Sequence, residues 1–496
     1  MTTIETSSAL DLLEDRELLR ELAFVNGEWV GADDGGTFEV RDPASGRVLA
    51  EVPVFGATET TRALDAAGAA FETWGTTLAK ERAAILRRWA DLMRDNSKDL
   101  SLILTAEQGK PLSESRGEVE YAASFLEWFG EEAKRVYGDV IPTPMEGRRI
   151  VVFKEPLGVT GGITPWNFPS AMVTRKCAPA VAAGNTMVLK PAEQTPLSAL
   201  AVCVLAERAG LPPGVLNVVT TPAEKAQEVG ETMTSDPRLR MLGFTGSTEV
   251  GKLLMKQCAD TVTKVSLELG GNAPFIVFED ADLELALGAM QSCKYRNSGQ
   301  TCISANRILV QESVHDEFVA MLTDYAAGLV VGSGTEEGSQ IGPLIDQQGL
   351  DKVERHIANA LESGAEIVVG GSPHDRGGLF FQPTVLTGVS PEMDMSCEET
   401  FGPVAGIIPF RTEEEAIAIA NDTPYGLCAY FFTKDLARAW RVGEALEAGI
   451  VGLNTGFVST EVAPFGGVKQ SGIGREGSKY GIEEWVDTKY FTFAGL

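Results

Sequence analysis

Residues 157–190 read LGVTGGITPWNFPSAMVTRKCAPAVAAGNTMVLK. Two apolar runs, at 157–163 and 186–190, bracket a stretch over 169–182 with helical patterning. This strand–helix–strand unit continues. Strand-like runs follow at 215–219 (VLNVV), 239–244 (LRMLGF) and 262–267 (VTKVSL). Helical patterns fill the gaps at 197–209, 223–234 and 247–258. Such alternation predicts a doubly wound parallel sheet, an α/β fold. In these sheets ligands bind beyond the C-terminal ends of the strands. Those ends carry PWNFP at 165–169, KPAE at 190–193 and TGSTEVG at 245–251.

Toward the N-terminus, Phe24-Val25 and Trp29-Val30 flank Asn26-Gly27, a tight hairpin turn pair. Helical patterns follow at 58–74, 80–104 and 111–135. Toward the C-terminus a second alternating set starts near Phe275. It runs through a helix at 282–297, a strand at 307–311 and a helix at 314–329, with further units to about 453. A second α/β domain is expected. Gly270-Gly271 and Gly466-Gly467 read as hinges. Runs at 148–156 (RRIVVFKEP) and 485–493 (WVDTKYFTF) read as strands outside both domains.

The 496 residues suffice for two to four domains. With 44% hydrophobic and 23% charged residues, the composition is that of a globular chain. Lysine and arginine total 42 against 70 acidic residues, so 42 − 70 gives −28. That field repels phosphate backbones and argues against nucleic acid as a partner. No apolar stretch reaches the roughly 18 residues a membrane span needs. The acidic, amphipathic opening lacks the marks of a signal or transit peptide, so a cytoplasmic location is expected.

The seven cysteines form no CxxC pair, which argues against a zinc ribbon or disulfide framework. There are three histidines, read as structural or surface groups, and neither HExxH nor GxSxG occurs. No metal site is expected, and a catalytic base would be a carboxylate.

Three motifs could carry chemistry. Gly246 to Lys252 follows a strand and opens a helix, so its amides could hold a phosphate. It nearly matches a P-loop, but Leu253 stands where the metal-binding hydroxyl belongs, which ranks a P-loop nucleotidase low. Cys302 ends GQTC in a loop of small polar residues, unlike the mostly apolar settings of the other cysteines. A nucleophilic thiolate needs that access and polarity. Glu268 lies between two leucines at a strand end, before Gly270-Gly271. Apolar neighbours would raise its pKa toward that of a useful base.

Together, PWNFP, KPAEQTP (190–196), FTGSTEVG (244–251), LELGGNAP (267–274), GQTC (299–302), EETFGP (398–403) and APFGGVKQSGIGREG (463–477) strongly resemble the NAD(P)-dependent aldehyde dehydrogenase superfamily. The motifs keep the family's order and cover nearly the whole chain. The resemblance implies the aldehyde dehydrogenase fold. A Rossmann-like NAD-binding domain would span 1–137 and 159–267, and a catalytic domain 268–466. A small β oligomerisation arm would use 138–158 and 482–496, making a homotetramer or homodimer. The resemblance also implies that Cys302 attacks the aldehyde, the amide of Asn167 and the N–H of Cys302 hold the oxyanion, and Glu268 activates water. Lys190 would bind the adenosine ribose, Gly246 and Ser247 the pyrophosphate, and Glu399 the nicotinamide ribose. Phe401 would pack beside the nicotinamide ring, with Trp166 and Leu269 also at the cofactor. Intact Cys302, Glu268, Asn167 and Glu399 argue against an inactive binding protein.

Glu193 follows Lys190 by three residues. A carboxylate at the adenosine ribose accepts from its hydroxyls and repels a 2′-phosphate, so NAD is expected over NADP. For the substrate, AMVTRK and KYRNSGQTC are similar to the succinate-semialdehyde dehydrogenase branch. That similarity implies a carboxylate clamp of Arg175 and Arg296, helped by Ser459. A planar guanidinium fork suits a carboxylate. Succinate semialdehyde is the expected substrate, with glutarate semialdehyde or another ω-carboxy aldehyde as the alternative, since one methylene discriminates weakly. Ser304 stands where some members of this branch carry a second cysteine, so no disulfide switch is expected.

Overall fold

The computed structural model describes residues 9–495. Residues 1–8 and 496, which open the acidic N-terminal stretch and end the expected arm, lie outside the described residues.

The expected alternation forms one eight-stranded sheet. Its order is Gly472–Ile473, Lys264–Glu268, Leu239–Thr245, Val159–Ile163, Thr186–Lys190, Leu216–Val218, Ala23–Val25, Glu28–Val30. The inner five strands are parallel. The N-terminal hairpin turns at Asn26 and Gly27, with φ of 55° and 77°, and closes one edge antiparallel. All 15 residues of the Pro169–Ala183 helix are buried. It packs between the sheet and the flanking helices, so its near-continuous apolar face needs no polar stripe.

The helical pattern at 80–104 is two helices, Ala79–Asp95 and Ser97–Gln108. The Asn96 side chain donates to the Leu92 carbonyl at 2.8 Å, competing with the backbone ladder and ending the first helix. The apolar spacing continues through the break because both segments bury a face.

A second, seven-stranded sheet runs Glu366–Val369, Thr384–Thr387, Val404–Phe410, Ala305–Gln311, Ala273–Val277, Cys428–Phe432, Ile450–Leu453. Only its first pair is antiparallel. The terminal runs lie outside both sheets. Val486–Ala494 pairs antiparallel with Arg148–Pro156, which also pairs with Asp139–Ile141. Val140, Tyr490 and Phe491 leave apolar surface exposed there. Among the described residues, no helix is long and apolar enough to cross a membrane.

Candidate active site

The chain passes from the first large sheet to the second between Glu268 and Ala273. Glu268 ends its strand, buried, and among the described residues neither of its carboxylate oxygens has a hydrogen-bond partner. Burial, and then the charge of Glu476, push its pKa well above the ordinary carboxylate range. Arg175, Lys176 and Arg475 oppose that rise. The sequence-based expectation of a strand-end carboxylate with a raised pKa therefore holds.

The four glycines expected as hinges are places of close approach. A Cβ on Gly271 would sit 2.3 Å from the Cys302 carbonyl oxygen, and one on Gly270 would sit 2.8 Å from Glu399 Oε2. On Gly466 it would sit 2.8 Å from Glu268 Oε1, and on Gly467 2.5 Å from Ser471 Cβ. At Gly271 the obstacle is backbone and leaves no room for a side chain, whereas at Gly270 it is the movable end of Glu399.

The helix expected over 282–297 is regular only from Leu283 to Met290. A π turn at Gln291–Tyr295 follows, and Asn297, Ser298 and Gly299 are left-handed, with φ of 53°, 56° and 75°. Two consecutive non-glycine residues in that region are costly, and distant partners fix them. The Asn297 backbone N–H donates to Glu114 at 2.8 Å, and Gln108 donates to the Asn297 side-chain oxygen at 2.9 Å. Ser298 donates to the Gly342 carbonyl at 2.9 Å. This bend leaves Cys302 half-buried, whereas five of the other cysteines are buried and Cys397 is exposed. Burial, then Glu399, push the Cys302 thiol up to about 12, while Arg175 and Arg296 pull the other way.

Asn167 lies in the turn between the Val159–Ile163 strand and the Pro169–Ala183 helix. Its side-chain amide donates to the Gln300 carbonyl at 3.1 Å, which ties this turn to the nucleophile loop. Among the described residues that is the one hydrogen bond from this amide nitrogen. The neighbouring Trp166 meets Phe401 edge-on, with centroids 5.6 Å apart.

Of the expected substrate arginines, Arg175 is buried in an ion pair with Glu476 at 2.8 Å. Its guanidinium lies over the Phe465 ring at 4.2 Å. Arg296 is half-buried, with its guanidinium over Phe168 at 5.3 Å and its Nε without a hydrogen-bond partner among the described residues. Ser459 is buried. Sequence reasoning did not single out Glu476. Its second oxygen accepts from Lys176 at 2.6 Å, and Lys176 also donates to Thr245 at 2.8 Å. Although burial works against its charge, Lys176 and Arg175 hold the Glu476 pKa below the ordinary range.

At the strand ends, Lys190 reaches Glu193 at 3.4 Å. Ser247 caps the Thr248–Cys258 helix by accepting from the Val250 N–H. The lysine of the P-loop-like run does not turn back into that loop. Lys252 donates instead to the Gln470 side chain at 2.6 Å, and Leu253 is exposed, which leaves the nucleotidase reading without its phosphate lysine. Leu269 fills the space above Gly251, where a Cβ would sit 2.4 Å from its Cδ2. Glu399 accepts the Gly271 N–H at 2.8 Å through Oε1, which leaves Oε2 beside Gly270. Burial raises the Glu399 pKa to about 7. His356, buried, lies 3.2 Å from the Thr400 hydroxyl and supports the same loop. A helix N-terminus, an ammonium–carboxylate pair and a second carboxylate suit a dinucleotide's pyrophosphate and two riboses.

The aldehyde dehydrogenase family model matches residues 29–491, and the chain belongs to that family. Within it, the chain is 57% identical to glutarate-semialdehyde dehydrogenase of Pseudomonas aeruginosa, over 98% of this chain and 100% of that one. It is 56% identical to succinate-semialdehyde dehydrogenase [NADP(+)] GabD of Escherichia coli, over 96% and 98% of the two chains. The crystal structure of succinate-semialdehyde dehydrogenase from Burkholderia pseudomallei superposes with a TM-score of 0.96 at 57% identity. That match covers 98% of this chain and 100% of the other. The aldehyde dehydrogenase fold and an aldehyde dehydrogenase enzyme follow.

Proposed function

We propose that this enzyme oxidises succinate semialdehyde to succinate, with NAD preferred to NADP. The observation that carries the substrate is the pair of guanidiniums, with Arg175 over the Phe465 ring and Arg296 over Phe168, the residue next to Asn167. A carboxylate held by them would set the aldehyde at the far end of a short chain against that sulfur.

In this reading Cys302 Sγ attacks the aldehyde carbon and gives a thiohemiacetal. The second N–H of the Asn167 amide and the Cys302 backbone N–H hold the oxyanion. The bound dinucleotide supplies the hydride acceptor. The thioester left on Cys302 is then cleaved by a water from which Glu268 takes a proton. Succinate departs and the thiol is restored. The raised pKa of Glu268 suits a group that must both accept a proton and return it to solvent.

Residues 1–137 with 159–267 would hold the dinucleotide, 268–466 would carry the nucleophile, and 138–158 with 482–496 would join subunits. Light scattering behind a sizing column tests the last point, and a clean monomer overturns it. The relative from Pseudomonas aeruginosa favours glutarate semialdehyde as the second reading. Initial rates with succinate semialdehyde, glutarate semialdehyde, butyraldehyde and benzaldehyde, each with NAD and NADP, test the function. Faster turnover of the uncharged aldehydes would discard the clamp.

A further inference from the structure

We propose that Lys110 and Glu118 are positioning residues that fix the Asn167 amide for oxyanion binding, a role that rests on the reading of Asn167 above. Lys110 follows the Ser97–Gln108 helix, and Glu118 belongs to the Leu112–Glu132 helix. Their side chains form an ion pair at 2.6 Å and are 1% and 0% exposed. A buried ion pair is weak evidence for stability, because desolvation offsets its attraction. What this pair holds is more telling.

The Lys110 ammonium also donates to the Asn167 carbonyl at 2.7 Å and sits 3.9 Å from the centre of the Phe168 ring. The other oxygen of Glu118 accepts the N–H groups of Ser170 and Ala171 at 3.0 and 3.3 Å. The helix begins at Pro169, so those two donors belong to its first turn and have no partner within it. Pro169 itself brings a fixed φ and no N–H. The pair thus grips four features of one turn: a carbonyl, a ring and two amides. The Asn297 side chain holds the same carbonyl at 3.0 Å from the nucleophile loop. With its carbonyl held from two elements and the turn after it gripped, Asn167 aims its side-chain amide at the Gln300 carbonyl and the loop ending at Cys302.

Misplacing such a donor by about 1 Å costs about a hundredfold in rate. The test is a double-mutant cycle in the full-length enzyme. Lys110→Met with Glu118→Gln removes the ion pair and keeps a neutral acceptor for the helix amides. With Asn167 intact, kcat/KM for the aldehyde falls about tenfold to a hundredfold, while the Kd for NAD stays within about twofold. In an Asn167→Ala background the same change costs less than about threefold, because the group being positioned is gone. Equal losses in both backgrounds, or a parallel loss of NAD affinity, would overturn the proposal. Full activity in Asn167→Ala alone would remove the reading of Asn167 and the proposal with it. Additive losses beside an impaired Asn167→Ala would remove the positioning role alone. Should the double variant not fold, Lys110→Gln, which keeps one donor, goes through the same cycle with the same reading.

Discussion

Arg175 and Glu476 form an ion pair at 2.8 Å with side chains only 2% and 7% exposed. A carboxylate substrate therefore does not have this guanidinium to itself. The competition is eased because Lys176 binds the other carboxylate oxygen of Glu476. Arg175, Lys176 and Glu476 sum to one positive charge, and Arg296 adds another. Glu268 interacts with Arg175 and Glu114 with Arg296, so an anionic substrate would meet two fixed guanidiniums rather than a broad positive field.

The two arginines should therefore fail differently. Each charge-assisted contact with a substrate carboxylate is worth about 1.5–3 kcal/mol. Arg296→Ala should lower kcat/KM for succinate semialdehyde by roughly tenfold to a hundredfold and leave butyraldehyde nearly unchanged. Arg175→Ala should lose comparable specificity and also leave Glu476 short of a buried partner. Breaking such a pair costs about 3 kcal/mol, so its melting temperature should fall by several degrees while that of Arg296→Ala holds. Steady-state kinetics with both aldehydes and a thermal melt separate these outcomes. Equal melting temperatures would mean Lys176 alone satisfies Glu476.

The pH profile should rise toward alkali. Cys302 must lose its proton to attack, and burial holds that proton up to about 12. Glu268 must be ionised to take a proton from water, and burial raises its pKa as well. Both groups are active in the deprotonated form, and both pKa values are raised, so kcat/KM increases with pH across the neutral range through Cys302, and kcat increases with it where the later Glu268 step limits turnover. Glu268→Gln should form the thioester and then stall. Rapid mixing should show a burst of about one reduced nicotinamide per active site, followed by a slow steady state. Steady turnover at the parent rate would assign water activation elsewhere.

Cofactor choice should turn on Glu193, which lies beside Lys190. Glu193→Ser should weaken NAD binding by roughly 1 kcal/mol and relieve repulsion of a 2′-phosphate, raising relative use of NADP. The comparison is the ratio of kcat/KM for the two cofactors in parent and variant. A parent enzyme that already prefers NADP, as the name of its Escherichia coli relative suggests for that protein, would remove the argument at once.

Much of the fold was legible because strand and helix periods differ so clearly between 157 and 268. The strand expected at 186–190 is Thr186–Lys190, and the helix expected at 169–182 is Pro169–Ala183. What was illegible depends on partners far along the chain. Asn297 and Ser298 adopt left-handed φ because Glu114, Gln108 and Gly342 hold them, and nothing local signals that bend. Glu476 lies inside the 463–477 motif, yet its pairing with Lys176 spans 300 residues. The Asn96 break escaped notice because apolar spacing runs through it. The glycine pairs showed that the backbone was special without showing whether it bends or is approached.

Bending and close approach make different demands on a glycine. At Gly271 an added Cβ would meet the Cys302 carbonyl oxygen at 2.3 Å, and backbone cannot swing aside as a flexible side chain can. Gly271→Ala should push the nucleophile loop away from Asn167 and Glu268, cutting kcat/KM by a hundredfold or more, on the estimate that 1 Å costs about that much. Gly288, within the Leu283–Met290 helix, has nothing within 4 Å of its would-be Cβ and no positive φ. Gly288→Ala should therefore stabilise the protein by about 0.5–1 kcal/mol through helix propensity and the unfolded chain's entropy, with activity unchanged. Thermal melts and initial rates on both variants decide. If these glycines serve as a hinge, Gly271→Ala would slow cofactor release and leave the acylation burst intact. If they serve close approach, the burst itself disappears.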